Sequence, residues 1–368
     1  MRRLRIGVNA LYLIPGAVGG TEIYLRNLLR AFGEIDEAAE YFVFTNHETA
    51  SELGPGKENF HLVEQPVRAA FRPARIAWEQ TALPLAVAAH GIDVLLNPGF
   101  TAPLVCGCPQ VTVFHDLQHK RHPENFRWFD LPFWRFLLFW SAQISSIVIA
   151  DSETTGSDLE RFYRLPTQKI RVVPLGVEPR FFDIAKARRP EPLLLSVSTL
   201  HPHKNLDRLL RAFAVFHKQR PEFRLVIAGL RGFESADLER LREELALDDA
   251  VEFTGWIPRE ELYNLYRRSW AFFYPSAFEG FGLPVLEALA AGVPTGCSGI
   301  EPLASIAGSA ALQFDPDNDA SLLDAMNRLA SDETLRAKLA SAGRERAAQF
   351  SWRTTARLTL EALRKAAE

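Results

Sequence analysis

A chain of 368 residues is long enough for two domains of ordinary size, and 47% hydrophobic with 24% charged residues excludes a disordered chain. The net charge of −3 and the dispersed basic residues give no reason to expect nucleic acid as a partner. The three cysteines favour a reducing compartment, and no apolar run has membrane-spanning length, so we expect a cytoplasmic protein.

The first half of the chain alternates short apolar runs with amphipathic segments. Arg5–Asn9 reads as a strand, followed by a glycine loop at 16–20 and a helix over about 21–32. We predict a loop at 46–59 and a helix at 75–89. Further strands are predicted at Tyr41–Phe44, Phe60–Val63, Ile92–Leu96, Gln110–Phe114, Ser145–Ala150 and Ile170–Val173. This alternation of predicted strands and helices favours a parallel α/β sheet.

His115 directly follows the predicted strand Gln110–Phe114. Ligand chemistry in open α/β sheets gathers at the carboxyl ends of strands, which favours a functional role for His115 over a structural hydrogen bond. Asp116 either orients the imidazole or caps a turn.

The segment Trp128–Trp140 is dense in aromatic residues. It reads as a buried helix, as an acceptor groove, or as an interfacial helix that touches a membrane and places the protein at its inner face. The segment is too short to span a bilayer and is interrupted by Pro132 and Arg135.

Residues 179–192 contain three prolines and are predicted to link two domains. After them, Leu193–Val197 reads as a strand, and the turn His201–Asn205 leads into an amphipathic helix. Lys204 in this turn is either a point charge for a diphosphate or a solvated surface lysine. Arg224–Ala228 and Val251–Phe253 continue the α/β pattern.

The stretch Tyr274–Pro294 is the most informative part of the sequence. A predicted strand, Ala271–Tyr274, runs into a turn with Gly280 and Gly282, and Pro284 opens a helix. A helix N-terminus behind a glycine turn binds phosphate through its N–H groups and its dipole. Glu279 and Glu287 flank this turn, the second in what reads as the first helical turn, so a sugar nucleotide would find a carboxylate at either end.

The segment E-G-F-G-L-P-V-L-E-A-L-A-A-G-V-P (279–294) resembles the E-x7-E signature of retaining glycosyltransferases of family 4, which have the GT-B fold. The resemblance implies two Rossmann-like doubly wound parallel-sheet domains that face a cleft. These are an acceptor-side domain at 1–178 and a nucleotide-sugar domain at 193–350, with the last helix, 351–368, crossing back to the first.

The resemblance also implies roles for single residues. In the family the first Glu contacts the donor sugar, the turn amides meet sugar and phosphate, and the second Glu holds the ribose. These roles fall here on Glu279, on the turn and on Glu287. The residues of the turn are Gly280, Phe281, Gly282 and Leu283.

The resemblance also implies donor contacts for residues outside the E-x7-E segment, where the sequence matches the family less closely. Gly19 and Gly20 would lie near donor phosphate or acceptor, and His115 would face the donor sugar. Trp256 and Ile257 follow a strand whose loop lies near the base in similar enzymes. Thr199 and His203 stand where the family often has arginine, which leaves Lys204 as the main cation.

We therefore predict a hexosyltransferase that uses a nucleotide sugar, retains configuration, and needs neither a cofactor nor a bound metal. GDP-mannose is the favoured donor, since the general pattern looks like mannosyltransferases of bacterial surface-polysaccharide assembly. The acceptor would be a saccharide or a lipid-linked saccharide. The alternatives are a UDP-sugar-dependent transferase, a sugar-nucleotide epimerase, and a donor-binding partner without catalysis.

Overall fold

The computed structural model describes residues 2–17, 19–49, 53–126 and 128–368. Val18 and residues 50–52, which belong to two predicted loops, lie outside the described residues. The chain divides into two compact units, one formed by Met1–Gly176 with Trp352–Glu368 and the other by Val177–Ser351.

The first unit, as far as it is described, has a parallel sheet of seven strands. They are β1 (Arg5–Asn9), β2 (Glu40–Thr45), β3 (Phe60–Glu64), β4 (Val94–Asn97), β5 (Gln110–Phe114), β6 (Ile147–Ala150) and β7 (Ile170–Val172). Their order is β3-β2-β1-β4-β5-β6-β7, so the winding reverses between β1 and β4. The strand predicted at Ile92–Leu96 begins two residues later, because Ile92 and Asp93 lie in the turn before it.

Helices flank this sheet and cover its apolar faces. They are α1 (Gly20–Ile35), α2 (Arg72–Ala89), α3 (Gln118–Arg121), α4 (Leu131–Ile144) and α5 (Glu153–Tyr163). The helix predicted at 75–89 begins earlier, at Arg72, because Pro73 suits the first turn of a helix.

The aromatic segment forms α4 and the residues before it. Leu137 and Leu138 of α4 are buried in the first unit. Trp128 is 84% exposed, and Phe136 is 54% exposed. The exposed large side chains of the segment are Trp128, Phe129, Phe133, Phe136 and Trp140. Burial of the whole segment is therefore wrong, because only one face of α4 packs on the core.

The second unit has a parallel sheet of six strands among the residues described. They are β8 (Leu193–Val197), β9 (Arg224–Ala228), β10 (Val251–Gly255), β11 (Ala271–Tyr274), β12 (Thr295–Ser298) and β13 (Leu312–Phe314). Their order is β10-β9-β8-β11-β12-β13, so the switch point lies between β8 and β11. The predicted α/β class, with two doubly wound parallel sheets, is confirmed.

The predicted linker is largely helical. Its first part forms α6 (Pro179–Lys186), with Pro179 in the first turn and Phe181 fully buried. Arg188 then donates to the carbonyls of Gly292 and Ser269. Residues 179–192 therefore belong to the second unit, and Pro179 starts a helix rather than marks a free linker.

The remaining helices complete the chain. They are α7 (Leu206–Gln219), α8 (Ser235–Glu244), α9 (Arg259–Arg268), α10 (Leu283–Ala290), α11 (Leu303–Ala307), α12 (Asp319–Ser331), α13 (Glu333–Ala347) and α14 (Trp352–Ala367). The last of these, α14, is part of the first unit. Thr355 on α14 donates to the Pro174 carbonyl at 2.7 Å, and Arg364 pairs with Asp36 at 3.1 Å.

Candidate functional site

The loops after β8 and β11 meet at the switch point of the second sheet. The Ala277 amide donates to the His203 carbonyl at 2.8 Å, and the Ser276 hydroxyl donates to the same oxygen at 3.0 Å. The loop that carries Lys204 is therefore fixed against the loop that carries Glu279. Crevices at such switch points are where open α/β sheets bind ligands.

Lys204 and Glu279 form an ion pair in this place. Lys204 Nζ lies 2.5 Å from Glu279 Oε1 and 3.1 Å from Tyr274 Oη. Both charged side chains are largely shielded from solvent, with 14% and 11% of their surfaces exposed. The hypothesis that Lys204 is a solvated surface lysine is therefore wrong.

Gly282 gives the turn before α10 its shape. Its φ of +107° is unfavourable for a residue with a side chain, and a Cβ here would lie 2.2 Å from Leu303 Cδ2. Gly282 is the N-cap residue of α10, and its carbonyl accepts from the amides of Val285 at 3.0 Å and Leu286 at 3.3 Å. Of the other predicted turn residues, Gly280, Phe281 and Leu283 are buried in the second unit.

Glu287 lies deeper than the sequence predicts. It is in the second turn of α10 rather than the first, because the helix begins at Leu283, and it is only 3% exposed. Arg259 donates to Glu287 Oε1 at 2.7 Å, and Tyr266 donates to Oε2 at 3.2 Å. Burial raises the pKa of Glu287, and attraction to Arg259 opposes that rise.

The remaining predicted donor contacts of the second unit lie after the carboxyl ends of β8 and β10. Thr199 follows β8 and is half-buried. Trp256 follows β10 and is 59% exposed, so it is not a core residue, and Ile257 beside it is half-buried. His203 stacks on His201, with ring centroids 5.9 Å apart.

Two glycines after β9 were missed by sequence reasoning. A Cβ on Gly229 would lie 2.1 Å from the Ser198 carbonyl oxygen, and one on Gly232 would lie 2.3 Å from that of Leu200. The backbone after β9 therefore runs directly against the backbone after β8. The two glycines could have indicated this contact from the sequence, because glycine lets two backbone segments approach closely.

In the first unit, His115 is held on both sides. Its Nδ1 lies 2.6 Å from Asp151 Oδ2, and its Nε2 lies 2.9 Å from the Pro98 carbonyl oxygen. Burial lowers the pKa of His115, but attraction to Asp151 and these hydrogen bonds outweigh burial and raise it. Since both ring nitrogens face acceptors, these contacts favour the doubly protonated ring.

Asp151 rather than Asp116 orients this imidazole. Asp116 accepts a hydrogen bond from the Gln118 amide at 2.9 Å, which is the turn-capping alternative. Asp151 follows β6, the neighbour of β5 in the sheet, and this neighbourhood cannot be read from the sequence. The predicted contacts Gly19 and Gly20 are exposed at the N-terminus of α1.

No group of three or more His, Cys, Asp or Glu side chains in the described part of the chain is placed to hold a metal ion. None of the helices described there combines the length and apolar character needed to cross a bilayer.

Two family models match adjacent parts of the chain. Residues 18–181 match the model described as Glycosyltransferase Family 4. Residues 178–346 match the model described as Glycosyl transferases group 1.

Curated relatives and solved structures agree with these matches. The O-antigen chain mannosyltransferase B of Escherichia coli is 28% identical over 263 residues, which is 68% of this chain and 69% of that protein. The O-antigen chain mannosyltransferase RfbU of Salmonella typhimurium is matched over 60% of its own length. The D-inositol 3-phosphate glycosyltransferase of Acidothermus cellulolyticus is matched over 50% of its own length.

The structural similarity extends over nearly the whole chain. A sucrose-phosphate synthase from Thermosynechococcus elongatus has a TM-score of 0.81 at 21% identity, covering 99% of both chains. HepE of Anabaena, in complex with UDP and glucose, has a TM-score of 0.76 at 20% identity, covering 98% of this chain and 100% of that one. The fold is GT-B, and with both family models the chain is a glycosyltransferase of the GT-B type.

Proposed function

We propose that the protein transfers a hexosyl unit from a nucleotide sugar to an acceptor with retention of configuration. The observation that carries the proposal is the contact between Lys204 and Glu279 at the switch point of the second sheet, next to the N-terminus of α10. The likeness of residues 279–294 to the E-x7-E signature supports the proposed retention.

Lys204 supplies a positive charge for the diphosphate leaving group in this proposal. Cleavage of a donor glycosidic bond leaves negative charge on the diphosphate and oxocarbenium character on the sugar. An ammonium group has three donors, of which Lys204 gives two to Glu279 and Tyr274, so a third serves a phosphate oxygen. With the α10 N-terminus it stabilises the departing diphosphate, without a metal in our proposal.

The two glutamates act on different parts of the donor in this proposal. Glu279 accepts hydrogen bonds from sugar hydroxyls and so fixes the ring relative to the acceptor. Glu287 accepts from the ribose, and the turn Gly280–Leu283 supplies amides for sugar and phosphate. Thr199, Trp256 and Ile257 are proposed to complete the nucleotide site.

His115 contributes from the first unit in our proposal. Since both of its ring nitrogens already donate within the unit, it acts as a fixed positive charge rather than as a proton shuttle. Gly19 and Gly20 are proposed as a backbone contact for phosphate or acceptor.

We infer GDP-mannose as the donor and a surface-polysaccharide saccharide as the acceptor. The E. coli relative is named an O-antigen chain mannosyltransferase, which supports mannose. The Anabaena structure contains UDP and glucose, which supports the UDP-sugar alternative. A thermal-shift panel of GDP, UDP and ADP sugars separates the donors.

Product analysis with labelled donor tests the reaction itself. Transfer of label to an acceptor with the donor's anomeric configuration is the expected result. An isomerised donor would identify an epimerase, and binding without turnover would identify a partner protein. Either of those outcomes overturns the proposal.

A peripheral membrane contact is proposed for the exposed face of α4. This face presents Phe133, Phe136 and Trp140. Cζ of Arg72, on α2, lies 3.8 Å from the ring centroid of Trp134, which is also on α4. Aromatic side chains beside cations suit the interface of an anionic bilayer. Flotation with phosphatidylglycerol vesicles should recover the wild type and lose Phe133→Ser/Phe136→Ser, and equal flotation of both would contradict the contact.

A further inference from the structure

Arg259, the first residue of α9, sits between two carboxylates of the second unit. Its Nη2 donates to Glu178 Oε1 and to Glu287 Oε1, both at 2.7 Å. The guanidinium carbon also lies 5.1 Å from the ring centroid of Phe181 and 5.4 Å from that of Tyr263. Rings and carboxylates therefore hold the guanidinium in one position.

The outer oxygens of both carboxylates are bound as well. Tyr266 donates to Glu287 Oε2 at 3.2 Å, and Tyr263 donates to Glu178 Oε2. Each oxygen of Glu287 thus has one protein donor and keeps a further lone pair for a ligand. The direction of that lone pair depends on Arg259 and Tyr266.

The charges in this cluster do not cancel, because two carboxylates share one guanidinium. Burial alone would favour the protonated form of Glu287, and Arg259 is the cation that opposes this. Glu178 adds a second negative charge that disfavours ionisation of Glu287. Among the described residues, the titratable and charged groups around Glu287 are Arg259 and Tyr266 of α9, Glu178 before α6 and Tyr274 of β11. Tyr263 of α9 lies beside Arg259 and Glu178.

We propose that Arg259 is a positioning residue for nucleotide binding, which aims the Glu287 carboxylate at the ligand by holding it against Glu178. This inference rests on the proposed nucleotide-sugar site in the second unit. Arg259 is not itself placed in contact with the donor. Nothing in the sequence singles it out, because its partners lie 81 and 28 positions away.

The test compares Arg259→Met with wild type by calorimetric titration of GDP-mannose and UDP-glucose. Met keeps the apolar stem and removes the charge and the hydrogen bonds. We expect an affinity at least about tenfold weaker at about pH 8. Arg267→Ala on the same helix is the matched control and should bind as wild type, since Arg267 is exposed and its side chain bonds to the neighbouring Asn264.

The dependence of ligand affinity on pH distinguishes a positioning role of Arg259 from a merely structural one. Without Arg259 the pKa of Glu287 should rise, so affinity in Arg259→Met should fall further between about pH 8 and about pH 6. The double variant Arg259→Met/Glu287→Gln should lack this dependence. Each phosphate of a nucleotide sugar has one ester bond and one anhydride bond and keeps only a strongly acidic hydroxyl, so the phosphates do not titrate in this range.

The outcomes are distinguishable. No binding by wild type would overturn the proposed function itself. Binding by wild type with unchanged affinity in Arg259→Met, or with a loss that is the same at both pH values, would overturn only the role of Arg259. Should Arg259→Met fail to fold, Arg259→Lys decides, because an ammonium group cannot reproduce the guanidinium contacts. Affinity below that of wild type, with a greater loss at about pH 6 than at about pH 8, supports the proposal, and any other result overturns it.

Discussion

Lys204 Nζ lies 2.5 Å from Glu279 Oε1, although the two residues are 75 positions apart in the chain. The contact joins the loops that follow β8 and β11, which are neighbours at the switch point of the second sheet. The cation proposed for the diphosphate and the carboxylate proposed for the sugar are therefore one unit. A change at either residue alters the surroundings of the other.

Lys204→Ala should reduce turnover more than Lys204→Arg, because the charge on the leaving diphosphate is what the residue stabilises. The measurement is kcat for sugar transfer. Lys218→Ala on α7 is the control, since Lys218 is exposed. Equal turnover in Lys204→Ala and wild type would contradict the role.

Glu287→Ala should both weaken nucleotide binding and destabilise the second unit. The sequence suggests only a modest structural cost, but the structure places Glu287 in a buried ion pair with Arg259. Because Arg259 keeps Glu178 as a partner, losing the charged hydrogen bond to Glu287 should cost about 1.5–3 kcal/mol. Denaturant unfolding measures the cost, and Glu287→Gln, which keeps the size and a hydrogen-bond acceptor, should lose less. Equal unfolding free energies for Glu287→Ala and wild type would show that the pair does not stabilise the unit.

The sequence predicts some elements closely. Ala271–Tyr274 is a strand with the predicted bounds, because four apolar residues end at a proline and a glycine turn. The depth of Glu287 could not be predicted, since it depends on Arg259 and Tyr266 of α9, which reach it from a distant part of the sequence. The partner of His115 was missed because Asp151 becomes its neighbour only through the β5–β6 pairing. The helix at 179–186 was missed because Pro179 serves both as a breaker and as a helix start.

His115 should make stability depend on pH. Its pKa in the folded protein lies above the ordinary value of 6.5, so its contribution is fully present below about that pH. The contribution is lost as pH rises through the folded pKa. The free energy of unfolding of wild type, relative to His115→Gln, should therefore decrease above about pH 6.5. His47→Gln, at an exposed position, is the control, and a constant difference across this range would contradict the assignment.

Activity should survive chelation, because Lys204 and the α10 N-terminus supply the positive charge in our proposal. The transfer assay is repeated after treatment with EDTA and removal of the chelator. Loss of activity that magnesium or manganese restores would contradict a metal-independent mechanism.

Glu279→Gln tests the central claim most directly, since it removes the charge of the sugar contact while its amide oxygen can still accept from Lys204 and the α10 N-terminus stays in place. Gln keeps the size of the side chain, so the fold should be spared, and Glu261→Gln at an exposed position of α9 is the control. The measurement is a pair: affinity for the bare nucleoside diphosphate and kcat for transfer. The account predicts retained affinity with kcat reduced by about a hundredfold or more, as expected when positioning is lost. An unchanged kcat, or an affinity that collapses together with kcat, would contradict it.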